Sequence, residues 1–120
     1  MHIDPSETAQ DDALTTIHAA GNLESALSAA VALVEAGELG AARSLLVAAE
    51  RAAHALDQPR ALAVCLSLLA QLDGVDADLD GAIRRAGAAL EAAARTDDRE
   101  LIHRCMALES SLRLLKDGRI

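Results

Sequence analysis

The chain has 120 residues, enough for one domain with a substantial buried core, and its 52% hydrophobic content excludes disorder over most of the length. It holds no Phe, Tyr or Trp, so any interior is built from small and aliphatic side chains, and alanine supplies about a quarter of all residues. The formal net charge is −8 with eleven dispersed cations, which argues against nucleic acid as a partner, and no apolar run approaches the ~18 residues of a membrane span.

Six helices and no strand are expected from caps, breakers and apolar spacing. Asp4-Pro5-Ser6-Glu7 offers an N-cap, a proline at the first helical position and a carboxylate two residues later. The helix it opens carries Leu14 and Ile17 and stops near Gly21. Asn22 reads as the cap of a second helix, with Leu23, Leu27, Val31 and Val34 on one face and an end at Ala36-Gly37. The third follows at once, striped by Leu39, Ala42, Leu46, Ala49, Ala53 and Leu56 at three- and four-residue spacing.

Asp57-Gln58-Pro59 starts the fourth, which runs through Leu62, Cys65, Leu66, Leu69 and Leu72 to a predicted stop at Asp73-Gly74. A long acidic corner, Val75-Asp76-Ala77-Asp78, leads into the fifth, striped by Leu79, Ala82, Ile83, Ala86, Ala89, Leu90 and Ala93. Asp97 to Glu100 reads as a capping box for the sixth, which carries Leu101, Cys105, Leu108, Leu112 and Leu115 and closes at Lys116-Asp117-Gly118. Connections this short force neighbouring helices to run antiparallel.

The chain also repeats itself at an interval of forty residues. Leu39 and Ala42 return as Leu79 and Ala82, and Cys65 returns as Cys105. Fixed periods of this size signal stacked helical units, each covering an apolar face its neighbour cannot cover alone. The segment Leu33 to Arg43, with Gly37, Glu38, Leu39 and Ala42, resembles the corner of a tetratricopeptide repeat, and Asp57-Gln58-Pro59-Arg60 resembles the break between two such repeats. The Ala/Leu-rich composition is closest to the forty-residue variety in the sensor arms of large bacterial transcriptional regulators. The resemblance covers about residues 22–117 and implies an all-α fold of antiparallel helical hairpins stacked as a short right-handed array. Within a single domain of residues 1–120, it divides the chain into an N-terminal helix (1–21), two hairpins (22–57 and 58–96) and a C-terminal helix (97–120).

Candidates for chemistry are few. Asp76-x-Asp78-x-Asp80-Gly81-x-Ile83 reproduces the start of a calcium-binding EF-hand loop, but Arg84 stands at its ninth position and Gly87 where the bidentate carboxylate belongs. Carboxylates at a helix start are explained by capping and by the helix dipole. His2, His18, His54 and His103 are not spaced with one another or with a cysteine as helical metal ligands, so neither metal nor cofactor is expected. Both cysteines fall on apolar stripes and read as reduced packing residues. The acidic start, Met1-His2-Ile3-Asp4-Pro5, differs from the basic and then apolar start of a signal peptide, and a cytoplasmic location is expected.

These features lead to a non-catalytic protein-interaction module or adaptor with a protein or peptide partner. In the resembled family the first helix of each hairpin lines the concave side. The implied contact set is Glu24, Ser28, Arg60, Ser67, Gln71, Arg99, His103 and Ser110. A second surface is the final helix, where Met106, Leu108, Leu112 and Leu115 lack a following partner and would support a homodimer. The alternative is a sensory or regulatory helical domain that binds a small ligand or controls a transcription regulator.

Overall fold

Alanine and leucine dominate the middle of the chain, and both favour the helix intrinsically. In the computed structural model, which describes residues 22–118, they form five α-helices with no strand among the described residues. These are α1 (22–35), α2 (Leu39–Ala55), α3 (Pro59–Val75), α4 (Leu79–Ala94) and α5 (Arg99–Lys116). The helix expected before Gly21 lies outside the described residues, and Asn22 is already helical. The last four helices begin at residues 39, 59, 79 and 99, so the underlying interval is one helix plus one corner, and the forty-residue recurrence spans two helices.

Three corners share one backbone solution. Gly37, Asp57 and Ala77 adopt positive φ of 81°, 51° and 62°. The next residue in each corner then donates its N–H back to the carbonyl five positions earlier: Glu38 to Leu33 at 2.8 Å, Gln58 to Ala53 at 2.9 Å and Asp78 to Asp73 at 2.8 Å. This left-handed termination satisfies carbonyls that the helix end would leave open. The long corner expected after Asp73 is therefore no longer than the others. Helix α3 continues through Gly74 to Val75, because Leu72 and Asp73 are buried and hold its last turn against the core.

The fourth corner, Arg95 to Asp98, has no left-handed residue. There the Thr96 hydroxyl donates to the Ala93 carbonyl at 2.6 Å and accepts the Asp98 N–H at 3.2 Å. The cap of α5 is Asp98, which accepts from the Leu101 N–H at 3.1 Å, and not the expected Asp97. The corner is one residue longer because α4 ends at Ala94, one residue short of the twenty-residue register, while α5 still begins in register at Arg99.

Consecutive helices from α2 to α5 pack together, α3 also meets α5, and α2 and α4 make no direct packing contact. One core cluster runs through all five helices, from Leu23 through Ala53, Leu62 and Cys65 to Ala93 and Leu101. A second joins α1, α2 and α3 through Ala30, Leu46 and Leu69, and a third joins α3, α4 and α5 through Ala70, Ala86 and Leu112. Helix α3 is thus covered on several sides, with Leu62, Cys65, Leu66, Leu69 and Leu72 all buried as their spacing predicted. Burial follows the recurrence: Ala42, Leu46, Ala49 and Ala53 of α2 match Ala82, Ala86, Ala89 and Ala93 of α4, all buried. Side chains this small let helix axes approach closely. Each fully buried leucine, such as Leu46 or Leu69, contributes about 1.5–3 kcal/mol.

The furrow left between α2 and α4 holds the one buried charged residue among those described, Asp73 of α3, only 6% exposed. Its carboxylate accepts from Arg43 of α2 at 2.9 Å and from Arg85 of α4 at 3.3 Å. Arg43 also reaches Asp76 at 3.0 Å. The triad ties both flanking helices to the central one, a role the sequence did not announce because Asp73 read as a helix terminator.

Candidate interaction surface

Helices α1, α3 and α5 share one side of the molecule, with a groove on each flank of α3. Between α1 and α3 lies a cavity of about 420 Å³ lined by Glu24, Leu27, Arg60 and Val64. Between α3 and α5 lies a second, of about 150 Å³, lined by Val64, Ser67, Leu68, Gln71, Arg104 and Leu108. Val64 borders both, which makes the two grooves one continuous surface across three helices.

The residues expected to form a contact set divide on this geometry. Glu24 and Arg60 line the first groove, and Ser67 and Gln71 the second. Ser28 is exposed one turn beyond Glu24 on α1. Two of these groups already have internal partners. Arg60 pairs with Asp98, and the backbone N–H of Leu101, with help from that guanidinium, holds the Asp98 carboxyl below its ordinary value. The Ser67 hydroxyl faces the Cys105 sulfur at 3.5 Å, which bridges α3 and α5 at the groove floor.

Arg99, His103 and Ser110 are exposed but line neither groove. His103 and Ser110 occupy the positions that Ala63 and Ala70 hold forty residues earlier, where both alanines are completely buried in clusters shared with α4. They therefore lie on the outer side of α5, away from α3. The charged groove residue on α5 is Arg104, which is not in the expected contact set. It stands three residues after Leu101 and four before Leu108, so the buried stripe itself pointed to its flank.

The expected self-association set is also divided. Met106 is 49% and Leu115 47% exposed, whereas Leu112 is 7% exposed in the cluster with Ala70, Ala82 and Ala86, and Leu108 packs against that cluster. Leu112 is committed to the fold. On the outer side of α5, His103, Met106, Ser110 and Arg113 replace Ala63, Leu66, Ala70 and Asp73 of α3. Two of these four changes, Ala63 to His103 and Ala70 to Ser110, put exposed polar groups where α3 carries buried alanines.

The acidic corner has internal employment for each carboxylate. Asp76 pairs with Arg43, Asp78 caps α4 by accepting from the Gly81 N–H at 3.0 Å, and Asp80 pairs with Lys116. Lys116 holds the Asp80 carboxyl below its ordinary value. Among the described residues no group of three His, Cys, Asp or Glu side chains converges to hold a metal ion. Cys65 is buried, and loss of solvation pushes its thiol up to about 12, so it stays a protonated packing group at neutral pH. His54 is exposed, 4.0 Å from Glu50, and His2 and His18 lie outside the described residues. No helix among the described residues is long and apolar enough to cross a membrane. Comparisons with protein-family models, with curated proteins and with solved structures return nothing that matches this chain.

Proposed function

We propose that the chain is a non-catalytic protein-interaction module, built as a short tetratricopeptide-like array of antiparallel hairpins and working in the cytoplasm, with its partner on the α1–α3–α5 side. The observation that carries this reading is the pair of grooves joined at Val64, which gather Glu24, Arg60, Ser67 and Gln71 from helices forty residues apart. Equivalent burial in α2 and α4 supports the stacked-unit description. The internal roles of the corner carboxylates and the burial of Cys65 support a structural use for groups that could otherwise do chemistry.

The test is photo-crosslinking from a residue analogue at Gln71, compared with one at Arg51 on α2, both exposed positions. Discrete crosslinked species from Gln71 and none from Arg51 are expected in a cell extract. Equal yields from both positions would refute the assignment of the face. Products formed by the purified chain alone would identify a homodimer instead, which sedimentation would confirm and Met106→Lys or Leu115→Lys should abolish.

A further inference from the structure

Three positions across the grooved side are equivalent in the forty-residue register: Glu24 on α1, Val64 on α3 and Arg104 on α5. The register is fixed at both ends. Gly37 and Ala77 form matching left-handed corners after α1 and α3, and α3 and α5 begin at residues 59 and 99. All three side chains border the grooves, Val64 at their junction. The surface therefore reads acidic, apolar and basic in a line across the helices.

Glu24 and Arg104 are both exposed, and neither makes an ion pair or side-chain hydrogen bond with a described residue. Among the charged residues that line the two grooves, this sets them apart from Arg60, which is paired with Asp98. Two charges of opposite sign, neither paired with a described residue, share their grooves with the apolar side chains of Leu27, Val64, Leu68 and Leu108 and define the complement.

We infer that this surface, taken as the interaction face proposed above, binds an extended peptide segment with a cationic side chain at one end, an apolar one in the middle and a carboxylate at the other. The cation pairs with Glu24, the apolar side chain seats beside Val64, and the carboxylate pairs with Arg104. Closely packed helix axes lie about 8–10 Å apart, and α3 and α5, which meet only lightly beside a groove, stand at the upper end of that range or beyond it, so the two charges are separated by roughly 20 Å. An extended chain covers that distance in about five or six residues. A uniformly basic segment, which the net charge of −8 would attract over long range, meets Arg104 as a like charge, and a uniformly acidic one meets Glu24.

The experiment measures anisotropy of labelled peptides with a Leu-centred six-residue core and varied ends: Lys/Glu, Lys/Lys, Glu/Glu and Gln/Gln. The whole chain should bind the Lys/Glu probe roughly fivefold more tightly than either like-charged probe, the scale expected for exposed ion pairs. Glu24→Lys should move the preference to Glu/Glu, and Arg104→Glu should move it to Lys/Lys. Glu24→Gln and Arg104→Gln provide milder variants should either reversal disturb folding. Equal binding of all four probes, silence of all four, or a preference that does not follow the reversals would overturn the inference. If the Gln/Gln probe binds as well as Lys/Glu and shifts amide resonances of α1, α3 and α5, the charge assignment falls while the interaction face stands. Shifts confined to α2 and α4 would overturn both.

Discussion

Replacing Asp73 with alanine removes the shared carboxylate of the Arg43–Asp73–Arg85 triad. The Asp73 side chain is 8% exposed, and the Arg43 and Arg85 side chains are 32% and 34% exposed. At an effective dielectric of ~20, each pair at contact is worth about 4 kcal/mol before desolvation is subtracted. Breaking a fully buried pair costs about 3–5 kcal/mol, because the remaining charge is stranded. Here both arginines can recover hydration, so the expected loss is about 2–3 kcal/mol. On a domain of this size that lowers Tm by roughly 10–20 °C. Urea denaturation followed by circular dichroism measures it, since a chain without tryptophan or tyrosine has no useful intrinsic fluorescence. Arg43→Met and Arg85→Met should each cost less than Asp73→Ala, and the triple variant should cost less than the sum of the three. A loss below about 0.5 kcal/mol for Asp73→Ala, or strict additivity, would refute the view that the triad locks α2 and α4 onto α3.

Ala77 sits at φ 62°, a conformation that L-residues pay to adopt, so Ala77→Gly should stabilise by about 0.5–1 kcal/mol, while the same change at exposed, mid-helix Ala48 should destabilise by about as much. Equal signs in a denaturation series would contradict the corner assignment. A Cβ added at Gly81 would collide with the Asp78 carboxylate, so Gly81→Ala should displace the α4 cap and cost about 1 kcal/mol or more, a penalty that should shrink in an Asp78→Ala background. Cys65 should react with a thiol reagent at pH 8 only as fast as the protein opens. Its folded value near 12 lies above that of an unfolded thiol, so the fold's advantage is complete below pH ~8.5 and declines as pH rises beyond it. Rapid labelling of Cys65 in the native protein, or stability unchanged between pH 8 and pH 10, would contradict its burial.

Much of the helical pattern was legible because alanine-rich stripes at three- and four-residue spacing have one stable solution. The buried residues of α2, the apolar stripe of α3 and four of the six buried residues of α4 are those the periodicity marked, while Gly81 and Ala92 of α4 are buried outside it. Half of the expected contact set, Glu24, Arg60, Ser67 and Gln71, lies in the grooves. Arg99, His103 and Ser110 do not, because exposed positions on one helix share an exposure but not a direction. Only the position of α3 distinguishes the flank that carries Arg104 from the side that carries His103.

The sequence by itself determined where the chain can be helical and which stripe of each helix must leave water, since both follow from local backbone preference and hydrophobic spacing. Tertiary structure alone decided the partners. An aspartate at position 73 is a terminator in one dimension and a buried link between two arginines in three, because Arg43 and Arg85 approach it only after α2 and α4 have packed on α3. The line formed by Glu24, Val64 and Arg104 is likewise a property of packing: the recurrence makes the positions equivalent, and the stacking of α1, α3 and α5 brings them onto one surface.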